Sequence, residues 1–306
     1  MMNFFSIRRH EDTACCIRKI SGSGVILIWE LTSSCNLNCL HCFVNKMQKE
    51  LPLEACLKII KLLKNTEVKK IIITGGEPTL RKDLPEIIDN IQKLNVIIDL
   101  NTNATLLTEI PGMGTVIRKV TEFTVSLDGP NSYIHDMQRN SKGAFERTIA
   151  GINFIRKFGK KIDICTVVTK LNYQLVSEIV NLCEKLEVSS ITFSRYLPTT
   201  NYKTKKYLTL TQTETKEFMY QIRVVRRKTN IPIRTVGFVK GNRGMCLAGK
   251  KIFYLDAEGY LHPCGLLQSK KYHIFSLEGE KSLALCPTQW EKELFLFRKE
   301  LHKNLL

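Results

Sequence analysis

Between Gly24 and Pro198, short apolar runs alternate with amphipathic stretches. The runs VILIWELT, KKIIITGG, VIIDLNTN, FTVSLDG, IDICTVVT and SSITFSRYLP are rich in β-branched residues, the pattern of strands covered on both faces. Between them, LPLEACLKIIKLLKN, LPEIIDNIQKL, GAFERTIAGINFIRKFG and LVSEIVNLCEKL place apolar residues at helical spacing. The stretch after the third strand is a less well-defined helical segment. Six such units with right-handed crossovers predict an α/β fold, a partial (β/α)6 TIM-like barrel. In such barrels the chemistry sits at the C-terminal ends of the strands.

From Thr209 the helical pattern TQTETKEFMYQIRVVRRK leads away from this alternation. After Pro232 come a cysteine, a hairpin pattern (KIFYLDAEGYLHPC, turning near Glu258 and Gly259) and a final helix. The expected organisation is an N-terminal segment (1–23), a barrel (24–208), a linker helix (209–235) and a small hairpin-plus-helix domain (236–306).

Composition narrows the class. Of 306 residues, 43% are apolar, enough for a sizeable core. No run approaches the roughly 18 to 20 apolar residues of a membrane helix. Arg8, Arg9, His10, Glu11 and Asp12 precede any long apolar run, so the start does not read as a secretory signal. The expectation is a cytoplasmic protein. Eleven cysteines in a reducing compartment point to metal ligands or core positions rather than disulfides. Cys56, Cys165 and Cys183 fall on apolar faces and read as core. Lys+Arg number 46 against 29 Asp+Glu, a net charge of +17 that favours an acidic partner. The lysines are scattered and lack interleaved aromatics, so a solvated surface is favoured over a nucleic-acid footprint.

The polar motifs fall after the strands. CNLNCLHCF carries Cys35, Cys39 and Cys42 after the first. Three thiolates can hold three irons of a [4Fe-4S] cluster and leave the fourth open. Taken alone they could also be part of a zinc site with His41 as fourth ligand. After the second strand come Gly75, Gly76, Glu77 and Pro78, which offer close backbone approach, an acceptor for a cationic amine and a fixed turn. Asn101, Thr102 and Asn103 follow the third strand, and Ser126, Leu127, Asp128 and Gly129 the fourth. Arg139, further on, can pair with a carboxylate. An open iron, an amine acceptor, hydroxyl and amide donors and an arginine together fit a zwitterionic amino acid carrying a ribose.

CNLNCLHC followed by GGEP resembles the radical S-adenosylmethionine (radical SAM) superfamily, over roughly residues 24 to 200. The resemblance implies that Cys35, Cys39 and Cys42 ligate the cluster, whose fourth iron chelates S-adenosylmethionine. It implies that Gly75, Gly76 and Glu77, with Pro78 fixing their turn, contact the methionine amino group. Thr102, Asn103, Ser126 and Arg139 resemble positions holding carboxylate and ribose. His41 and Phe43 resemble residues shielding the cluster or stacking near adenine. An external donor such as flavodoxin or ferredoxin would supply the electron, and a 5′-deoxyadenosyl radical would take hydrogen from a substrate. RYLPTTNYKTKKYLTLTQTE resembles the Arg-x2-Pro-x-Gly segment of peptide maturases and haem-pathway radical enzymes, with Thr200 where they carry glycine. Cys246, Gly259, Pro263 and Cys264 resemble the opening of a SPASM or twitch domain without its late run of cysteines. Cys246, Cys264 and Cys286 could converge on one auxiliary iron-sulfur cluster. A ribosomally made peptide is the expected substrate and a tetrapyrrole the alternative. A noncatalytic iron-sulfur or nucleic-acid-binding protein would have no use for the amine pocket.

Overall fold

Each parallel strand of the sheet feeds its C-terminal end toward one mouth, and the site is built there. The structure, a computed structural model, describes residues 11–13, 24–44, 46, 48–64, 66–197, 206–238, 247–267 and 272–277. In chain order the elements begin with β1 (Glu11–Thr13), β2 (Val25–Thr32), α1 (Leu53–Leu63), β3 (Val68–Gly75), α2 (Leu84–Gln92) and β4 (Ile97–Thr102). Next come α3 (Met113–Lys119), β5 (Glu122–Ser126), α4 (Ser132–Arg139), α5 (Ala144–Arg156), β6 (Lys161–Val168) and α6 (Val176–Lys185). The chain continues through β7 (Ser190–Arg195), α7 (Gln212–Arg226), β8 (Ile233–Val236), β9 (Ile252–Leu255), β10 (Tyr260–His262) and β11 (Tyr272–His273).

The six predicted strands are β2 to β7, adjacent and parallel. The partial TIM-like barrel therefore stands, and the sheet extends beyond it at both ends. Its order is β1-β8-β7-β6-β5-β4-β3-β2-β9-β10-β11. The helix expected as a linker, α7, instead crosses over to β8, which pairs parallel with β7 and makes a further β/α unit. A capping box between Thr211 and Glu214 starts α7. The hairpin expected in a small second domain, β9 and β10, joins the same sheet: β9 runs parallel beside β2, Ile28 opposite Tyr254. The remaining tail, including Cys246 and Cys286, lies outside the described residues, as do Cys15, Cys16 and Thr200.

Strand alternation sorts the core into two. Leu27, Trp29 and Leu31 of β2, with Ile71, Leu100, Phe123, Ile164 and Phe193, pack under the helices. Cys56 and Cys183 are buried in that layer, as their patterns predict. On the other face Ile26, Ile72 and Ile252 form a separate group lining the lumen. Elsewhere the lumen is polar. Lys70 bridges Asp99 and Glu122, and Arg234 pairs with Asp163 at 2.7 Å, so charges buried between strands are neutralised in place. Cys165, one of the three expected core cysteines, is half-buried and stands opposite Ser126 rather than in the helix-side layer.

Candidate active site

Beyond Thr32 the chain leaves the sheet as the loop carrying Cys35, Cys39 and Cys42, all half-buried. Its backbone is fixed from three sides. Gly76 N–H donates to Thr32 O at 2.7 Å, Glu77 N–H to Ser34 O at 2.8 Å, and Leu40 N–H to Gln138 O of α4 at 2.9 Å. The Asn36 amide donates to Thr105 Oγ1 and accepts from Asn103 Nδ2, each at 2.9 Å.

The two glycines have a steric reason. A Cβ on Gly76 would lie 2.1 Å from Ser34 O, and one on Gly75 2.3 Å from Thr32 O. The backbone they admit is that of the cysteine loop, where a ligand was expected. Glu77, beside them, is buried. Its Oε1 accepts from Thr79 N–H, Thr79 Oγ1 and Thr102 Oγ1, and its Oε2 from Asn103 N–H at 2.8 Å. Burial pushes its carboxyl above the ordinary value against those donors. A carboxylate has about four acceptor positions, so Oε2 is the oxygen with room for one more donor. Pro78 opens a short 3-10 turn that closes the segment. Thr102 and Asn103 are thus spent on this network, holding Glu77 and the cysteine loop.

At the ends of β5 and β6 lies a second buried network. Asp128, 0% exposed, pairs with Arg139 Nη2 at 2.8 Å and accepts from Val167 N–H at 2.8 Å. Its own N–H donates to His135 Nδ1 at 3.2 Å, which leaves the ring proton on Nε2, 3.5 Å from Thr148 Oγ1. Thr148 Oγ1 donates to Asn103 O. Burial, helped by Arg139, lowers His135 to about 4, so it is neutral. Arg139, Asp128's partner, is 6% exposed and reaches Cys39 Sγ with Nη1 at 3.7 Å. Its Nε is buried with no hydrogen-bond partner among the described residues. The ion pair with Asp128 holds the guanidinium above its ordinary range despite burial, and Asp128 below its own.

The donor set suits an iron-sulfur cluster. Leu37 N–H points at Cys35 Sγ at 3.4 Å, and Arg139 approaches Cys39, the hydrogen-bond donors that stabilise cluster sulfurs. Burial pushes the Cys35 thiol up to about 11 and Cys42 upward as well, so a metal held by them would have to displace protons. His41, the candidate fourth zinc ligand, has Nε2 3.6 Å from Asp128 Oδ2. Among the described residues no three His, Cys, Asp or Glu side chains close on a single metal ion. A cluster spreads its thiolates over separate irons. Phe43 is 40% exposed at the end of the loop, and Ser126 is half-buried at the end of β5. Cys264 is half-buried, while the two cysteines expected beside it are outside the described residues.

Comparison with known proteins gives the family and the fold. The Radical SAM superfamily profile matches residues 29–183, and the chain belongs to that superfamily, whose enzymes use a [4Fe-4S] cluster and S-adenosylmethionine (AdoMet). An AdoMet-dependent heme synthase of Methanosarcina barkeri is 30% identical over 271 residues, 79% of this chain and 77% of that protein. The mycofactocin maturase MftC of Mycolicibacterium smegmatis is 30% identical over 165 residues, 53% of this chain and 42% of that one. In fold, anSMEcpe with bound AdoMet and Cp18Cys peptide aligns at TM-score 0.72 and 19% identity, covering 89% of this chain and 82% of that one. Streptococcus suis SuiB bound to its precursor peptide SuiA aligns at 0.69 and 20% identity, covering 81% of this chain and only 62% of the longer SuiB.

Sequence patterns alone did not assign a role to Asp128 or His135.

Proposed function

We propose that this radical SAM enzyme holds its cluster on Cys35, Cys39 and Cys42 and takes hydrogen from a tetrapyrrole of the haem pathway. When bound, the cluster would supply the electron for reductive cleavage of S-adenosylmethionine, the chemistry that leads to hydrogen abstraction from the substrate. The chain's residues bind and orient. Glu77 Oε2 accepts from the methionine ammonium, and the unused Nε of Arg139 meets the carboxylate. Gly75 and Gly76, with Pro78, hold the cysteine loop against that pocket. Thr102 and Asn103 keep Glu77 in place. Ser126 and Phe43 border the ribose and adenine. The barrel-end position of the three half-buried thiols beside Glu77 and Arg139 carries the reading.

The substrate choice rests on coverage. The heme-synthase likeness spans most of both chains, whereas the MftC likeness spans about half of this one. A peptide substrate is the second reading, supported by MftC. An auxiliary cluster on Cys246, Cys264 and Cys286 belongs with either. A small acidic electron carrier, flavodoxin or ferredoxin, suits the net charge of +17. The test is anaerobic incubation of reconstituted enzyme with S-adenosylmethionine and dithionite, with and without iron coproporphyrin III, the tetrapyrrole in the name of a further relative, the Fe-coproporphyrin III synthase of Methanosarcina barkeri. The expected result is 5′-deoxyadenosine in both cases and a porphyrin of altered mass in the second. No 5′-deoxyadenosine from cluster-loaded enzyme sinks the assignment. 5′-Deoxyadenosine with unchanged porphyrin sinks the tetrapyrrole alone.

A further inference from the structure

One buried acid stands apart from the cysteine loop and the Gly-Gly-Glu-Pro turn. Glu30 is 1% exposed. It continues the lumen-facing alternation of Ile26 and Ile28, while Leu27, Trp29 and Leu31 face the helices. Its register partner on β3 is Thr74, the residue before Gly75; the β3–β4 register ends one step earlier, at Ile73 opposite Leu100, and Asn101 is the next residue of β4. Glu30 therefore sits in the lumen, two residues or roughly 7 Å along the strand from Thr32, where the cysteine loop begins.

The hairpin completes the group. Tyr254 of β9 donates its hydroxyl to Glu30 Oε2. Next to it His262 Nε2 lies 2.9 Å from Asp256 Oδ2, both buried, with the Tyr254 and His262 rings 6.3 Å apart. Glu30 Oε1 has no hydrogen-bond partner among the described residues, and neither has Asn101 Oδ1 of β4. Leaving a buried acceptor unpaired costs about 1–3 kcal/mol, so both oxygens call for a donor that the described residues do not supply.

We propose that Glu30 is the catalytic residue that exchanges a proton with the substrate in the lumen, Tyr254 holding its carboxyl and Asn101 accepting a second hydrogen bond. The ligand it fits is a substrate with an N–H or O–H group close to the carbon that loses hydrogen. In the forward direction that X–H bond breaks heterolytically and its electron pair stays on X. The proton forms an O–H bond on Oε1, and no electron leaves or enters the pair. The reverse returns the proton. Burial, opposed by the Tyr254 bond and reinforced by Asp256, Glu258 and Glu50, brings the carboxyl up to about 7, where acid and base forms are both populated at neutral pH. No cation pairs with Glu30 among the described residues to hold it ionised. The proposal rests on the radical SAM reading and is independent of the choice between tetrapyrrole and peptide.

Two measurements on the reconstituted holoenzyme test it. In pH-difference infrared spectra a protonated-carboxyl band should bleach near neutral pH and vanish in Glu30→Gln, which keeps side-chain size and a bond to Tyr254. A Glu30 that stays in one protonation state between about pH 5 and 9 overturns the proposal, with no substrate needed. With iron coproporphyrin III as probe, product formed per 5′-deoxyadenosine should fall about a hundredfold in Glu30→Gln, and the pH profile of wild type should shift in Tyr254→Phe. Wild-type product ratio and pH profile in Glu30→Gln would show a role limited to tying β9 to β2. If wild type makes 5′-deoxyadenosine but leaves the porphyrin unchanged, the tetrapyrrole reading fails and the infrared measurement decides for Glu30.

Discussion

At the scale of single residues, buried charge does most of the ordering. Asp128 has one strong partner, Arg139, and Arg139 in turn faces Cys39. Asp128→Asn removes the countercharge from a guanidinium that is 6% exposed. Breaking a buried pair from one side typically costs about 3–5 kcal/mol. The expected outcome is a loss of that order in chemical denaturation, with part recovered in the Asp128→Asn, Arg139→Met double variant. A double variant no more stable than the single one would show that the pair does not carry the coupling. S-adenosylmethionine affinity should also fall in Asp128→Asn, because Arg139 Nε is aimed only while Nη2 is anchored. Equilibrium dialysis against the reconstituted enzyme checks this.

At the scale of elements, the cysteine loop is packed on the Gly-Gly-Glu-Pro turn, and in the proposed site that packing sets whether a cluster can be held. In Gly76→Ala the new methyl would lie 2.1 Å from Ser34 O, and backbone cannot move aside as a flexible side chain can. Overpacking of this kind costs about 1–3 kcal/mol, and here it displaces the residue next to Cys35. Iron content after reconstitution should drop to a small fraction of wild type while the far-ultraviolet spectrum is kept; full iron loading with a wild-type spectrum would mean the loop adapts. The sequence made the loop and the turn legible as separate motifs, because spacing and glycines are local signals. It could not show that each glycine exists for the other motif, since that contact joins two strand ends. For the same reason α7 read as a linker: its amphipathic pattern says helix, and only the parallel pairing of β7 with β8 says crossover. The tail hairpin was legible from its turn at Glu258 and Gly259. Its docking beside β2 was not, because β9 is a four-residue strand with no alternation to mark its partner. Asp128 was visible in its motif without a role, since nothing local reveals a partner eleven residues further on.

At the scale of the whole molecule, two buried titratable groups pull stability in opposite directions with pH. His135 has its folded value lowered from 6.5 to about 4. The unfolded chain therefore takes up the proton first as pH falls, and the stability of a neutral His135 is complete above about 6.5 and lost toward 4. Glu30 has its folded value raised from 4.5 to about 7. Here the unfolded chain ionises first, so stability is complete below about 4.5 and lost as pH climbs through 7. Each shift is worth up to about 3 kcal/mol at 1.36 kcal/mol per pH unit, and in wild type the two largely cancel across this window. Single variants separate them. Relative to wild type, Glu30→Gln should gain about 3 kcal/mol as pH rises from 4.5 to 7, because glutamine has no proton to lose. His135→Gln should gain by a similar amount, in the opposite direction, as pH falls from 6.5 to 4. Denaturation midpoints measured across that range under reducing conditions give both differences. A flat difference for Glu30→Gln would mean that its carboxyl titrates as it does in the unfolded chain. A sloping one would place a neutral-pH acid in the lumen, supplied by β2 of the barrel and held in place by the tail strand.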